Sequence, residues 1–364
     1  MRAAERPLFV AAALRSTPTP ARACIIVPHA DHLTAIRIQR AHVALRAPRR
    51  PCPACASTAF TPLHTARDRW FDGPGTFAYA RCDACGLTYL RVRPAPEAMG
   101  AFYPSNYVKR GRGPAWLHAF FRRYDLRRRV AVVRGLAGRG GRVLDVGCAR
   151  GDFLAAARGA GLVVAGVEPA PWAAEATAAR GIPVWPTTVA EADLPAAAFD
   201  VATLWDVVEH LDHPGDDLRR VAAAVKPGGM VIVTTPVLDG WEAKLWGTRW
   251  PGWDTPRHLV VFERATLART LAGAGFGPVR WAHLSEGYLL TALAVSLLAK
   301  EKAPRPIARL VEAVLNARPV RLAMQPVFAL LDRVLGGGWV TAIARRPADA
   351  AAAAPASPRA SAAV

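Results

Sequence analysis

The sequence predicts an α/β protein with a doubly wound, seven-stranded parallel sheet, and three observations support this prediction. Short β-branched runs recur along the chain, helical segments separate most of them, and a glycine-rich turn follows the first run. The predicted strands are residues 142–146, 162–167, 182–185, 199–204, 230–235, 279–284 and 339–344. The predicted helices are residues 151–161, 171–180, 214–225 and 264–274. Strands that alternate with helices pair in parallel, because each helix returns the chain to the same end of the sheet.

The chain has 364 residues, of which 52% are hydrophobic and 21% charged, so it is long enough for one large domain and a small module. We expect five segments along the chain. They are a disordered extension (residues 1–50), a metal-binding module (51–93), a helical linker (94–141), the main domain with a helical insertion (142–346, insertion 287–337) and a disordered tail (347–364). The longest apolar run, residues 288–299, is too short to span a bilayer, which predicts a soluble protein.

The net charge of +19 is concentrated in two segments. Residues 1–50 carry nine Arg against two acidic residues, and residues 109–142 carry Lys109 and ten Arg against Asp125. Only five of the 47 basic residues are Lys, which favours a bias of nucleotide composition over selection for a polyanionic partner. Arg also binds phosphate, so a nucleic-acid partner stays open as the less favoured alternative.

Two Cys-x-x-Cys pairs predict a structural zinc site. The four cysteines are Cys52, Cys55, Cys82 and Cys85, and the second pair is followed by Gly86, which permits the positive φ of a knuckle turn. Two disulfides or a redox pair are the alternatives. A redox pair would be single, and disulfides need an oxidising compartment, whereas the chain has no convincing secretory signal. We therefore expect a closed, four-thiolate zinc-ribbon-like module in a cytoplasmic protein.

A glycine loop follows the first predicted strand of the main domain. Asp145 ends that strand, and Gly147 and Gly151 let the backbone approach a ligand at the start of a helix. A dinucleotide fingerprint would have a third glycine, where this chain has Asp152. Glu168 ends the second strand, where a carboxylate can accept hydrogen bonds from both ribose hydroxyls.

The chain resembles class I S-adenosylmethionine-dependent methyltransferases. The resemblance runs from about residue 142 to 345 and is carried by VLDVGCARG, GVEPA, FDVATLWDVVEHLDHP and VKPGGMVIVTTP. The cysteine pairs and the segments YLRVRP and FYPSNY are similar to the leader of a bacterial branch that includes sugar C-methyltransferases. The resemblance implies a Rossmann-like methyltransferase sheet and S-adenosylmethionine as cofactor. The residues it assigns to cofactor binding are Asp145, Gly147, Cys148, Ala149, Gly151, Glu168, Pro169, Thr188, Val189, Leu204 and Trp205.

Two positions depart from the family pattern. Ala149 replaces a usual glycine, which is tolerable because it adds only a methyl group. Thr188 replaces an acidic residue that commonly contacts the adenine amine, so adenine recognition is expected from the backbone at Val189.

A candidate catalytic group follows the fourth strand. Asp206, Glu209 and His210 have i, i+3, i+4 spacing and would share one face of a helix. His258 follows the fifth strand and is expected in the same crevice at the carboxyl edge of the sheet. Three interpretations stay open: His210 is a general base oriented by Glu209, the four residues bind a divalent metal, or Glu209 and His210 only brace the fold.

These observations favour an enzyme that methylates a small-molecule, sugar or lipid-linked acceptor. The alternative is an RNA methyltransferase that uses the zinc module and the basic stretch 109–142 as a clamp, and a non-enzymatic binding module is the third. Four tryptophans in residues 241–253 suggest an aromatic wall for the acceptor or ordinary packing. The apolar helices at 288–299 and 319–335 are expected to form a lid, with peripheral membrane contact as the alternative. The sequence indicates neither the target atom nor an oligomeric state.

Overall fold

The computed structural model describes residues 50–94, 96–103, 115–282, 284 and 287–348. The predicted terminal segments, residues 1–50 and 347–364, lie almost entirely outside the described residues, and so do residues 109–114 of the basic stretch 109–142.

Eleven strands and nine α-helices are found in the described part of the chain. The strands are β1 (Phe60–Ala66), β2 (Phe77–Cys82), β3 (Thr88–Val92), β4 (Arg142–Val146), β5 (Val163–Val167), β6 (Val184–Trp185), β7 (Phe199–Trp205), β8 (Val225–Pro236), β9 (Val260–Val261), β10 (Arg280–Ala282) and β11 (Trp339–Arg345). The helices are α1 (Ala115–Ala137), α2 (Asp152–Gly159), α3 (Pro171–Ala178), α4 (Pro214–Ala224), α5 (Trp241–Trp246), α6 (Arg264–Gly273), α7 (Gly287–Lys302), α8 (Arg305–Asn316) and α9 (Arg318–Leu335).

The main sheet has seven strands in the order β10-β11-β8-β7-β4-β5-β6, which confirms the predicted fold class. Strands β8, β7, β4, β5 and β6 pair in parallel. The expectation of an entirely parallel sheet is wrong at β11, which runs antiparallel to both β8 and β10. The helical insertion returns the chain to the end of the sheet at which β10 left it, so the next strand runs in the opposite direction.

The adjacency of β4 and β7 positions the ligand crevice. From β4 the chain builds outward through β5 and β6, and then crosses back to β7 on the other side of β4. In open α/β sheets such a change of direction in the strand order is where loops diverge and ligands usually bind, beyond the carboxyl ends of these two strands.

The small N-terminal sheet is completed by the large domain. Strands β1, β2 and β3 are antiparallel, and β9 pairs with β3 as the fourth strand. The backbone amide of Leu90 also donates to the carbonyl of Leu259 at 2.8 Å. Tyr89 lies in the same apolar core as Leu267 and Leu271 of α6. The cysteine module is thus packed against the main domain through both backbone pairing and side chains.

Arg257 is the polar link between the two sheets. Its guanidinium is fully buried and donates to both carboxylate oxygens of Asp68, which lies between β1 and β2, at 2.8 Å each. It also donates to Asp254 Oδ1 at 2.7 and 2.9 Å and to the carbonyl of Phe102 at 3.1 Å. Burial alone would lower the pKa of Arg257, but the two carboxylates outweigh it and raise that pKa, so the group stays charged.

The helical insertion consists of three helices that pack on one another, α7, α8 and α9. Tyr288 and Ala292 of α7 and Phe328 of α9 form their shared core, which also contacts Trp241. No helix in the described ranges is long and apolar enough to cross a membrane.

We expect Asp68→Ala to lower the free energy of unfolding by about 3–5 kcal/mol, because it leaves a buried guanidinium without its bidentate partner. The measurement is urea unfolding followed by circular dichroism.

Asp216→Ala is the matched control, since Asp216 pairs with Arg219 on the surface, where such pairs contribute under about 1 kcal/mol. Equal effects of the two substitutions would contradict the role assigned to Asp68.

Candidate functional site

The glycine loop joins β4 to α2 and is fixed by backbone hydrogen bonds. The amides of Gly147 and Cys148 donate to the carbonyl of Val167 at 2.8 and 3.1 Å. Gly147 has a φ of 71°. A Cβ added there would lie 2.5 Å from Val207 Cγ2, so this turn requires glycine.

Ala149 occupies the left-handed region, with a φ of 48°. Alanine in place of the usual glycine therefore adds a conformational cost besides its extra methyl group, because an L-residue in this backbone conformation is destabilised by roughly 1–2 kcal/mol. Two contacts hold the strained peptide units: the Ala149 amide donates to Glu168 Oε2 at 2.9 Å, and its carbonyl accepts from Thr177 Oγ1 at 2.9 Å.

Glu168 braces the loop from the neighbouring strand β5. Its second oxygen, Oε1, accepts from the amide of Ala170 at 2.9 Å. Burial raises the pKa of Glu168, and the two amide donors counteract that rise. Each carboxylate oxygen has a further lone pair, so the group can still accept hydrogen bonds from a ligand.

Asp145 lies at the end of β4 and is almost completely buried. Thr203 Oγ1 on β7 donates to its Oδ1 at 2.7 Å. Burial, reinforced by the charge of Glu168, raises the pKa of Asp145 to about 7. A cationic ligand group would favour its ionised form.

The other predicted cofactor residues differ in exposure. The side chains of Cys148, Val189 and Leu204 are buried in the core, so they can offer only backbone groups to a ligand. Trp205 packs edge-on against Phe153 with ring centroids 5.5 Å apart, and its buried Nε1 has no hydrogen-bond partner among the described residues. Pro169 and Thr188 are exposed.

The structure brings together Glu209, His210 and His258, whose candidate ligand atoms lie within 4.8 Å of one another. Asp206 is not among them. Its carboxylate accepts from Trp339 Nε1 at 2.7 Å and lies 3.7 Å from Arg129 Nη2. The sequence expected one helical face, but Asp206 has a φ of 58° and only Val208–His210 form a single 3₁₀ turn. The backbone reversal at Asp206 turns its side chain away from the other three.

Backbone carbonyls set the tautomers of both histidines. His210 Nδ1 lies 2.9 Å from the carbonyl of Arg257, and His258 Nδ1 lies 2.7 Å from the carbonyl of Gly252. A carbonyl only accepts, so each Nδ1 carries a hydrogen and each neutral ring has its lone pair on Nε2. Tyr103 Oη lies 3.2 Å from His210 Nδ1.

Glu209 is buried beside the histidines. Its Oε2 accepts from Thr235 Oγ1 at 2.9 Å, while Oε1 lies 3.9 Å from His258 Nε2 and makes no hydrogen bond in the described ranges. Burial raises the pKa of Glu209 well above its usual value. Two imidazole lone pairs and a carboxylate oxygen at this spacing can take up a proton or bind a divalent cation.

The four cysteines converge as the sequence predicted. The Sγ atoms of Cys52 and Cys85 are 3.5 Å apart, as are those of Cys55 and Cys82, and all four lie within 4.8 Å. Tetrahedral zinc with Zn–S distances near 2.3 Å needs sulfurs about 3.8 Å apart, which this set fits.

The two cysteine turns have the same backbone. Ala56 and Gly86 follow the second cysteine of each pair, with φ of 58° and 74°, and their amides donate to the carbonyls of Cys52 and Cys82. The sequence indicates this turn only at Gly86, because alanine is not typical of a positive φ.

Asp68, Arg257 and Tyr103 support the histidines without any sequence pattern that would indicate this role. Arg257 directly precedes His258, but its partner Asp68 is 189 residues away, so no local pattern indicates the pair. Of the four tryptophans in residues 241–253, Trp250 and Trp253 are buried against Tyr79 in the core beneath the small sheet, which is ordinary packing, whereas Trp241 and Trp246 are half-buried.

Comparisons with known proteins cover part of the chain. Residues 118–280 match the family model described as a methyltransferase domain. The chain is 38% identical over 100 residues to the ubiquinone biosynthesis O-methyltransferase of Bradyrhizobium sp. (strain ORS 278), covering 26% of this chain and 39% of that protein. It is 34% identical over 111 residues to the tRNA U34 carboxymethyltransferase of Azotobacter vinelandii, covering 28% of this chain and 34% of that protein.

Among solved structures, 1,6-didemethyltoxoflavin-N1-methyltransferase from Burkholderia thailandensis overlaps with a TM-score of 0.41 and 21% identity, over 78% of this chain and 100% of that one. The matches to the two curated relatives span well under half of each relative's length.

Proposed function

We propose that this chain carries a class I S-adenosylmethionine-dependent methyltransferase domain and that the domain methylates a hydroxyl oxygen of a small-molecule acceptor. The observation that carries the proposal is the cluster of Glu209, His210 and His258 beside the crevice at the carboxyl ends of β4 and β7. Oxygen as the target is supported by the name of the Bradyrhizobium relative, an O-methyltransferase of ubiquinone biosynthesis.

The charges around the glycine loop favour one orientation of the cofactor. Asp145, whose ionised form a cation favours, would accept from the ammonium of the methionine part. Glu168 would accept from the ribose hydroxyls, and the backbone near Thr188 and Val189 would receive the adenine. The sulfonium would then be held near Trp205, because the two ends of the cofactor would be bound on either side of that position.

Methyl transfer needs alignment and an acceptor for one proton. A lone pair of the acceptor oxygen forms the new C–O bond while the S–C bond breaks, and that electron pair stays on sulfur. The hydroxyl proton goes to His210 Nε2, which carries the lone pair because Nδ1 donates to the carbonyl of Arg257. Partly exposed, His210 is accessible to an acceptor, whereas Glu209 and His258 are buried.

The same cluster fits a divalent cation, which is the alternative to direct base catalysis. Glu209 Oε1, His210 and His258 would hold it, and a bound cation would lower the pKa of a coordinated hydroxyl. The carbonyls of Arg257 and Gly252 would then support the two ligands from behind, as is usual for metal-binding histidines.

The cysteine module would hold structural zinc. Four thiolates leave no position for water, so the site is closed. Arg269 on α6 donates to the carbonyl of Cys85 at 2.7 Å, so the second cysteine turn is attached to the main domain. The ion would therefore stabilise the small sheet and the loop that it holds.

RNA is the second candidate acceptor. It is supported by the tRNA-modifying relative from Azotobacter and by the arginines of the basic stretch 109–142. A steep loss of RNA binding with rising salt would favour it.

We expect Glu168→Ala to weaken S-adenosylmethionine binding by roughly 2–3 kcal/mol, because charge-assisted hydrogen bonds to the ribose are lost. Titration calorimetry measures the effect. Glu175→Ala on the exposed side of α3 is the control and should bind as the native protein does. Equal affinity in both variants would refute the placement of the ribose at Glu168.

We expect His210→Ala to lower kcat by ~10²–10³ with cofactor affinity retained, because the proton acceptor is removed. Turnover is measured with methyl-labelled cofactor and a panel of phenols and quinols. His213→Ala, an exposed histidine one turn further, is the control.

Chelation separates the two chemical interpretations. If the cluster binds a cation, EDTA abolishes turnover and Mg²⁺ or Mn²⁺ restores it. If His210 acts as a base without a metal, EDTA leaves turnover unchanged. Full turnover in both His210→Ala and His258→Ala would mean that the cluster is structural.

We expect the purified protein to contain one zinc ion per chain, because the four sulfurs already lie at tetrahedral spacing. Elemental analysis measures it, and Cys52→Ser/Cys85→Ser should lose the metal while Cys24→Ser retains it. A protein without zinc in which all six cysteines react freely with a thiol reagent would contradict the proposal.

A further inference from the structure

The outer face of α8 is apolar. Ala308 is the buried position of this helix, whereas Ile307, Leu310 and Val314 are 51%, 64% and 49% exposed. Their i, i+3, i+7 spacing places them on one face, turned away from Ala308. In a soluble helix the face opposite the buried one usually carries charge, and here it carries branched aliphatic side chains.

Helix α9 has the same inverted pattern. Its inward face contains Phe328 and Asp332, both buried, and Asp332 accepts from Trp241 Nε1 at 3.0 Å. The opposite face contains Val327, Leu330 and Val334, which are 48%, 62% and 70% exposed. Two consecutive helices thus present apolar stripes to solvent, which marks an interaction surface.

Basic side chains flank these stripes. The exposed ones are Lys300, Lys302, Arg305, Arg309 and Arg333, and none of them forms an ion pair within the described ranges. Three acidic residues lie on the insertion helices: Glu301 pairs with Arg69 at 2.6 Å, Asp332 is buried, and Glu312 is half-buried with no ion pair among the described residues, so the five exposed basic side chains outnumber it. The surface of the insertion is therefore apolar with a positive rim.

We propose that α8 and α9 dock the protein onto the surface of an anionic phospholipid bilayer. Aliphatic side chains would enter the boundary between headgroups and acyl chains, and the basic rim would meet lipid phosphates. Neither helix is long and apolar enough to span a bilayer, so the contact is peripheral. A second copy of the chain fits less well, because a two-fold contact would bring two positive rims together.

The docking surface lies beside the functional site and does not depend on the acceptor. Helix α7, on which both helices pack, also contacts the turn Pro251–Trp253, whose Gly252 carbonyl fixes His258. Lipid binding can be measured without turnover, so its failure and the failure of the methyltransferase proposal are distinguishable.

The test is co-sedimentation of the full chain with vesicles of phosphatidylcholine, alone or mixed with about one third phosphatidylglycerol. We expect binding to the anionic vesicles that weakens with added NaCl. Leu310→Asp/Leu330→Asp should reduce it about tenfold or more, because two anchors become anionic.

The matched control is Leu63→Asp/Val163→Asp, which adds the same charge at exposed aliphatic positions of β1 and β5 and should stay within about twofold of the native protein. Both double variants should bind S-adenosylhomocysteine with the same affinity, which checks that both are folded.

Three results would overturn the proposal. The first is no binding to anionic vesicles. The second is equal loss in both double variants, which would assign lipid binding to net charge. The third is a dimer in analytical ultracentrifugation that Leu310→Asp/Leu330→Asp dissociates, which would assign the surface to a second copy.

Discussion

The buried guanidinium of Arg257 is the interaction on which the rest of the structure depends. It holds Asp68 from the small sheet and Asp254 from the loop before β9 at once. A buried charge is tolerated only with such partners, so the two segments cannot separate without a large cost. The same residue offers its backbone carbonyl to His210, and its neighbour is His258. The contact that joins the two sheets therefore also sets the position and tautomer of the site histidines.

A second constraint arises from the crossover between β4 and β7. It places Asp145 next to Thr203 and puts the glycine loop at the carboxyl ends of these two strands. Glu168 ties that loop to β5 and holds Ala149 in a conformation that alanine alone disfavours. The glycine loop is thus preorganised by hydrogen bonds within the chain, and the histidines are preorganised by the small sheet.

The sequence was sufficient to predict the features that depend on local residue spacing. The cysteine pairs, the glycine loop and the alternation of strands and helices are short-range patterns, and the fold and the convergence of the four cysteines followed from them. Contacts between distant residues had no such signal. Asp68 and Arg257 are 189 residues apart, and the antiparallel insertion of β11 depends on where the helical insertion re-enters the sheet. Asp206 was misplaced because a positive φ cannot be inferred from residue spacing.

The helical insertion shows the same limit in its amphipathic pattern. An apolar stripe on a helix predicts that one face is covered, but the pattern does not say whether the covering surface belongs to the protein. The sequence therefore favoured a lid over the site. In the structure the inward faces of the insertion helices are already covered, because Phe328, Tyr288 and Trp241 pack together there. Leu310 and Leu330 remain exposed. The insertion thus has more apolar surface than its own core uses, and its positive rim indicates what kind of surface would cover the excess.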